Sequence, residues 1–442
     1  MQIAFPLKAL ILALCIIICA GSDSYAQKTK KAERDRQLAD INFQKAVTSF
    51  YSGDHEQALR TFLKLGHRGD AQSQYFLGYM YDIGQGAIQD ESEAARWYIK
   101  AAEQAYLPAE VQAGFLYATG KGVRKDIDKA IRWYTKAANR GDFVAQNNIG
   151  SLLQEKGGQD NLYQAARWYL SSSLQGNASA QFNLATMYRK GEGIKKDEVE
   201  AAKWYLLSAL QGNEFAQTSV AYFYLKGTGL EQNTQKAIEW YRRAAEQGLD
   251  VAQYQIARIY EKQAEALTKN PKQQSAYQNS AAVWYYHAAQ QDHIEASYNL
   301  AQFYIQGLGI PQDHKEGFKW LKKAVDANYK PAKFQLAQMY EQGIGVKRNL
   351  KAALDIFMES AERGDGEAMY EVARLLYEGK GAEQDLIRAY QWFALSIDHL
   401  ENGPLKERAI IARIEVSNAL SRDDLTQARQ LVSQWSPRTP LQ

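Results

Sequence analysis

The apolar residues of this chain fall into a repeating helical pattern. From about residue 70 a small residue opens each unit, as at Ala109, Ala145, Ala180, Ala216, Ala252, Ala296, Ala332 and Ala368. Four positions on stands an aliphatic residue, among them Leu77, Ile149, Leu184 and Val220, and Gly or Ala comes next, as at Gly78, Gly114, Gly150, Ala185 and Ala221. A tyrosine follows three positions later in most units, at Tyr81, Tyr117, Tyr188, Tyr224, Tyr260, Tyr304 and Tyr340. These spacings predict a helix with one apolar stripe. Its Gly/Ala column lets a neighbouring helix come close. A Gly-x-Gly turn such as Gly84/Gly86, Gly120/Gly122, Gly191/Gly193 or Gly343/Gly345 then stops the helix, because glycine takes left-handed backbone angles at no steric cost. A second helix opens on a capping Asp or Asn, at Asp90, Asp126, Asn161, Asp197, Asn233, Asp313, Asn349 and Asp385, whose side chain satisfies free N–H groups of the first turn. It runs through Ala-x-x-Trp-Tyr-x-x-Ala-Ala, as in Ala130–Ala138, and ends at a glycine such as Gly141, Gly176, Gly212, Gly248 or Gly364.

The tryptophans measure the period. Trp97, Trp133, Trp168, Trp204, Trp240, Trp284, Trp320 and Trp392 are spaced by 36, 35, 36, 36, 44, 36 and 72 residues, and Ile356 holds the missing position. Nine copies of a unit of about 36 residues result. One helix pair cannot bury its own apolar face, whereas stacked pairs can, so the fold expected is an all-α solenoid. Two units depart from the pattern. The third is one residue short and carries Gly157-Gly158 in its turn. The sixth lacks Gly-x-Gly and holds eight extra residues within Gln263–Tyr277, expected as a loop that is either a surface insertion or a binding element.

The stretch Ala180–Gly212, with its Ala-Gln-x-Asn-Leu-Ala-x-Met-Tyr and Trp-Tyr strings, closely resembles the Sel1-like repeat, a relative of the tetratricopeptide repeat. The resemblance implies a right-handed superhelix of nine repeats over 70–403. A degenerate N-terminal helix pair is expected over 38–69, and C-terminal capping helices with a tail over 404–442. It also implies a non-enzymatic interaction scaffold. The concave groove of the solenoid would bind a partner protein of the bacterial envelope. A secreted host-interaction factor of the same fold, or a cell-wall-active hydrolase, are the alternatives.

Residues 9–20, ALILALCIIICA, form an apolar run of twelve with Lys8 before it and Ser24-Tyr25-Ala26 after it. This is the pattern of a secretory signal peptide, too short for the roughly 20 residues of a spanning helix. Cleavage after Ala26 is expected, leaving 416 residues exported to the periplasm or beyond, with no stable membrane insertion. Both cysteines of the chain, Cys15 and Cys19, would leave with it, so neither a disulfide nor thiol chemistry is expected of the remainder. Residues 27–37 carry Lys28, Lys30, Lys31, Arg34 and Arg36 and read as a solvated, mobile basic terminus. The overall charge of +3 is too mild to argue for nucleic acid.

Catalytic chemistry is not evident. The six histidines form no His-Glu-x-x-His pair, and no Gly-x-Gly turn continues into a phosphate loop. No catalytic residue, metal ligand or cofactor is therefore assigned. Candidate binding residues are those on the first helix away from the apolar stripe, which face the groove in tetratricopeptide-like arrays. They are Tyr75, Phe76, Tyr79, Phe115 and Tyr222 as aromatic contacts, followed by Arg258, Gln302, Gln338 and Arg374. Exposed aromatics with arginine are common anchors of protein interfaces.

Overall fold

Capping determines where each helix starts. Asp90, Asp126, Asp197, Asn233, Asp313, Asn349 and Asp385 each accept backbone N–H bonds from the first turn of a second helix. A computed structural model of the chain describes residues 33–34, 37–267 and 269–437. The leader over 1–26, its cysteines and most of the basic segment lie outside the described residues. All regular structure among those described is helical. The chain divides into two compact units, Met1–Gln211 and Gly212–Gln442.

The first unit holds α1 (37–51), α2 (His55–Gly66), α3 (Ala71–Ile83), α4 (Glu91–Glu103), α5 (Leu107–Thr119), α6 (Ile127–Asn139), α7 (Phe143–Lys156), α8 (Gln159–Leu174), α9 (Ala178–Lys190) and α10 (Glu198–Leu210). The second holds α11 (Glu214–Lys226), α12 (Thr234–Glu246), α13 (Asp250–Glu265), α14 (Pro271–Gln290), α15 (Ile294–Gln306), α16 (His314–Asp326), α17 (Lys330–Gln342), α18 (Leu350–Ala361), α19 (Gly366–Glu378), α20 (Leu386–His399), α21 (Pro404–Ala419) and α22 (Arg422–Gln434). Within each unit, consecutive helices pack as antiparallel neighbours joined by short turns.

The first helices begin two residues before the small residue of the sequence pattern, and they have a cap column of their own. Asp70, Asp142, Asn177, Asn213 and Asp365 accept from the N–H at or near that small residue. Where glycine is missing from the preceding turn, Ala105, Asp292 and Asn328 adopt positive φ instead. The Gly-x-Gly turn does more than end a helix. At Gly122, with φ of +68°, a Cβ would collide with the carbonyl oxygen of Glu91 on the preceding second helix, so glycine there permits both the turn and the stacking.

The deepest core column is the residue after each tryptophan, a tyrosine in six of the pairs. Tyr98, Tyr169, Tyr205, Tyr241 and Tyr285 are fully buried, with Phe357 and Phe393 continuing the column. Trp133, Trp168, Trp204, Trp240 and Trp284 are only half-buried. Gly78, Gly114 and Gly150 sit against these rings: a Cβ at Gly150 would lie 2.7 Å from Tyr169. Burial pushes the hydroxyl of Tyr134 up to about 12, with a bond to Asn148 pulling the other way. Burial also raises Tyr285, reinforced by its bond to the Glu261 carboxylate at 2.6 Å.

A second column, one residue after the small residue, joins successive pairs. Gln74, Gln146, Gln181 and Gln253 are buried and donate from Nε2 to Gly66, Ala138, Ser173 and Ala245 carbonyls of the preceding second helix, at 2.9–3.3 Å. Their Oε1 atoms accept from Gln104, Gln175, Gln211 and Gln291 at 2.6–2.8 Å. At Glu110 the column is acidic, and Arg140 takes over, bonding Glu110 at 3.1 Å and the Ala105 carbonyl at 2.7 Å. At Ser297 the side chain is short, and Lys323 reaches the Ala289 carbonyl at 2.6 Å. Each of these joints thus adds a side-chain donor to a helix-end carbonyl; those of Gly66, Ala138, Ser173, Ala245 and Ala289 also accept a backbone N–H at 3.0–3.2 Å.

Two local expectations are corrected. Asn161 does not cap α8. That helix starts at Gln159 after Gly158, and Asn161 lies in its first turn, donating to the Gly157 carbonyl at 2.8 Å. With glycines at 157 and 158 adopting positive φ, the helix begins earlier than a side-chain cap would dictate. The eight extra residues of the sixth unit do not form a loop. They lengthen α13 to 16 residues and α14 to 20, with Asn270 capping and Pro271 at the first position of α14. No Gly-x-Gly stops α13 there, so the helix continues, and Tyr277 stacks on Tyr260 at 6.0 Å.

Candidate functional site

The candidate residues occupy two columns of the first helices and one position beside them. In the first unit, α3 presents Tyr75, Phe76 and Tyr79. Tyr75 is half-buried between Tyr98 and Tyr106, with ring centroids at 5.3 and 5.6 Å, and burial raises its hydroxyl pKa. Phe76 stacks on Phe62 of α2 at 4.9 Å and meets Phe43 of α1 edge-on at 5.7 Å. It therefore closes the N-terminal helix pair onto the repeats and is not a free contact residue. Tyr79 is 40% exposed and touches Phe50 edge-on at 5.9 Å. Phe115, at the same position of α5, is 42% exposed.

The same column becomes polar along this unit. Ser151 of α7 accepts from the Tyr169 hydroxyl at 3.1 Å, and Thr186 of α9 shares a bond with Tyr205 at 2.9 Å. Beside them Asn183 donates to Asn147 at 3.2 Å. Small hydroxyl residues here satisfy the core tyrosines, a task the ring of Phe115 cannot perform.

In the second unit Tyr222 of α11 is exposed. Arg258 of α13 donates to Tyr254 at 3.0 Å and lies 3.7 Å from Glu261. Gln302 of α15 and Gln335 of α17 exchange amide bonds at 2.5 and 3.0 Å, while Gln338 is half-buried on α17. Arg374 of α19 is held by Glu341, Glu371 and Glu378 at 2.7, 2.7 and 3.2 Å. Burial works against its charge, and the Glu341 and Glu371 carboxylates more than offset this, so its pKa is raised. Gln302 and Arg374 thus bind neighbouring first helices laterally, which stiffens the face that carries them, whereas Arg258 is held within α13. Such partners could not be read from the spacing alone, because Glu341 and Gln335 come from the preceding or following pair.

Among the described residues no three His, Cys, Asp or Glu side chains gather as metal ligands would, and no helix is long and apolar enough to cross a membrane.

A stack of helix pairs with capped termini, a small-residue seam and polar joints defines a repeat protein of the helical solenoid class. The Sel1 repeat is matched nine times, over residues 71–106, 107–142, 144–177, 178–213, 215–249, 250–293, 294–329, 330–365 and 366–399. The chain belongs to the Sel1 repeat family. Among solved structures it is similar to a protective antigen present in uropathogenic Escherichia coli strains that displays an SLR fold, with 31% identity, a TM-score of 0.63, and coverage of 90% of this chain and 84% of that one. It is also similar to a Sel1 repeat protein from Oxalobacter formigenes, with 29% identity, a TM-score of 0.55, and coverage of 69% and 88%. A search among curated proteins found no match. Sel1 repeat proteins are generally protein-interaction scaffolds, and the fold is typically non-enzymatic.

Proposed function

We propose that the chain is a non-enzymatic scaffold exported to the bacterial envelope, periplasmic in its first location, that binds a partner protein along its first-helix faces. Tyr79 and Phe115 are its aromatic anchors, and Tyr222, Arg258, Gln302, Gln338 and Arg374 are its further contacts. The observation that carries this reading is the 40% and 42% exposure of Tyr79 and Phe115 at a column where the next two pairs hold Ser151 and Thr186. Two rings left open on helix faces offer large contact area at low entropic cost. Phe76, absorbed by Phe62 and Phe43, serves the fold instead. A photo-crosslinking residue at position 115, placed in the native envelope, should join one defined protein, and Tyr79→Ala should lower the yield about ten-fold while helicity and melting stay unchanged. Absence of a crosslinked protein, or a yield indifferent to Tyr79→Ala, would overturn the reading. A secreted form of the same scaffold is the second reading. The similarity to a protective antigen favours it, and fractionation of cells and medium separates the two.

A further inference from the structure

The nine pairs act as controls for one another, and the outer face of their second helices changes character in the third and fourth. Six residues after each tryptophan stand Glu103, Asn139, Glu246, Gln290, Asp326 and Asp398, with Glu362 six after Ile356. At Leu174 of α8 and Leu210 of α10 the position is aliphatic. Three residues after the tryptophan, a basic side chain lies over the indole in other pairs: Lys100 at 4.5 Å from Trp97, Lys136 at 3.8 Å from Trp133, Arg243 at 4.5 Å from Trp240 and Lys323 at 5.0 Å from Trp320. In α8 and α10 that position is Ser171 and Leu207. Five residues before the tryptophan, Ser92, Asp128, Gln235, Asn279 and Lys315 give way to Tyr163 and Val199. Across two neighbouring pairs five of these six positions thus become aliphatic or aromatic, Ser171 being the exception.

The replacement leaves apolar surface open. Tyr163, Leu170, Leu174, Val199, Leu207 and Leu210 are each between 38% and 73% exposed. The turn that leads into α10 seats Gly193 on the backbone of Leu162 and Tyr163, which sets α8 and α10 side by side. Together the six side chains expose on the order of 600 Å², the upper end of what a monomer leaves open. That is most of the roughly 800 Å² per partner that a stable interface covers.

The chain itself shows what covers such a face. In the ninth pair two of the same columns are apolar, at Ile387 and Leu395. There α22 and the residue after it lie across α20: Trp435 meets Trp392 at 6.3 Å, Gln391 donates to the Leu431 carbonyl at 3.3 Å, and Leu395 is buried. An apolar outer face of this register takes an amphipathic helix. We propose that the α8–α10 face is a self-association surface, on which the α8–α10 face of a second copy of this chain docks about a two-fold axis. Each copy then supplies the amphipathic helices the other needs. The rim suits self-pairing. It carries both signs, with Asp160 and Arg167 on α8 and the Lys203–Glu200 and Lys196–Glu198 ion pairs at the start of α10, so one surface can be its own complement. A lipid surface would call for basic residues without the acids.

The test uses the chain from residue 27 onward, which contains every described residue. Sedimentation across the micromolar range should show a dimer. Leu174→Glu with Leu210→Glu installs the residue that Glu103, Glu246 and Glu362 already provide at this register, so the fold should tolerate it. Dimerisation should weaken at least about a hundred-fold, because four carboxylates, two from each copy, would have to enter the interface, with the circular dichroism spectrum unchanged. A spin label at Ser171→Cys should show coupling between copies, and one at Asn139→Cys on α6 should not. A wild-type chain that stays monomeric, or a dimer indifferent to the paired substitution, would overturn the proposal.

Discussion

The two ends of the array are closed by different chemistry. At the N-terminal end, α1 and α2 bring Phe43, Phe50 and Phe62 onto Phe76 of α3, a cluster of rings at 4.9–6.1 Å. At the C-terminal end, α21 and α22 cover α20 with Val416 and Ala428, fully buried, and with one ring, Trp435, edge-on to Trp392 and His399. The contrast teaches how to read aromatic residues in a repeat protein. A ring that departs from the repeat near an end is first an instrument of closure. Rings that keep an open face after closure, such as Tyr79 and Phe115, are the ones a partner can reach.

The comparison can be broken from either side. Phe62→Ala should cost about 3–5 kcal/mol, since the ring is fully buried and stacked. Repeat stability is largely nearest-neighbour, so the loss should appear in hydrogen exchange as early opening of α1 and α2 while α5 and later helices keep their protection. If all helices open together, the N-terminal pair is not a separable closure. Trp435→Ala should cost less, about 1–2 kcal/mol, because that ring is half-buried. The expected readout is faster exchange in α22 and a more polar fluorescence signal from Trp392. The smallest effect sharpens the symmetry of the two ends. Asp54 caps α2 by accepting from Gln57, and Ser421 caps α22 by accepting from Asp424. Asp54→Ala and Ser421→Ala should each cost about 1 kcal/mol in denaturant unfolding, with the slope unchanged.

Much of the architecture is legible in the residues alone, and the exceptions have physical causes. The tryptophan spacing counts the pairs because each pair buries the same seam. It does not identify the deepest residue: Tyr134 and Tyr169 lie beneath, where Gly114 and Gly150 make room. The caps at Asp142 and Asn177 stand directly after Gly141 and Gly176, and the glycine reads as a helix end before its neighbour reads as the next beginning. The start of α8 and the continuous α13 escape pattern reading because each depends on what a glycine does or fails to do at one turn. At the candidate site, exposure at Tyr79 and Phe115 follows from helical position. The capture of Phe76 by Phe62 and Phe43 does not, since it depends on a helix pair whose sequence departs from the repeat. The lateral ties of Arg374 to Glu341 join residues 33 apart, a separation that only the stacked geometry brings within reach.

The polar column at the joints has a consequence for assembly of the chain itself. Nine look-alike units present many wrong neighbours of nearly equal hydrophobicity, and a misplaced pair would still hide its apolar stripe. It would not still satisfy its joint. Gln146 and Gln181 can stand in for each other, but the Glu110–Arg140 joint and the one Lys323 serves beside Asp292 cannot take a glutamine's place without stranding a charge or an amide. Such an error costs about 1–3 kcal/mol at each buried polar group. The joints therefore work as keyed connectors, and a shuffled chain would lose its order first at the ionic ones, Lys333 with Glu359 among them.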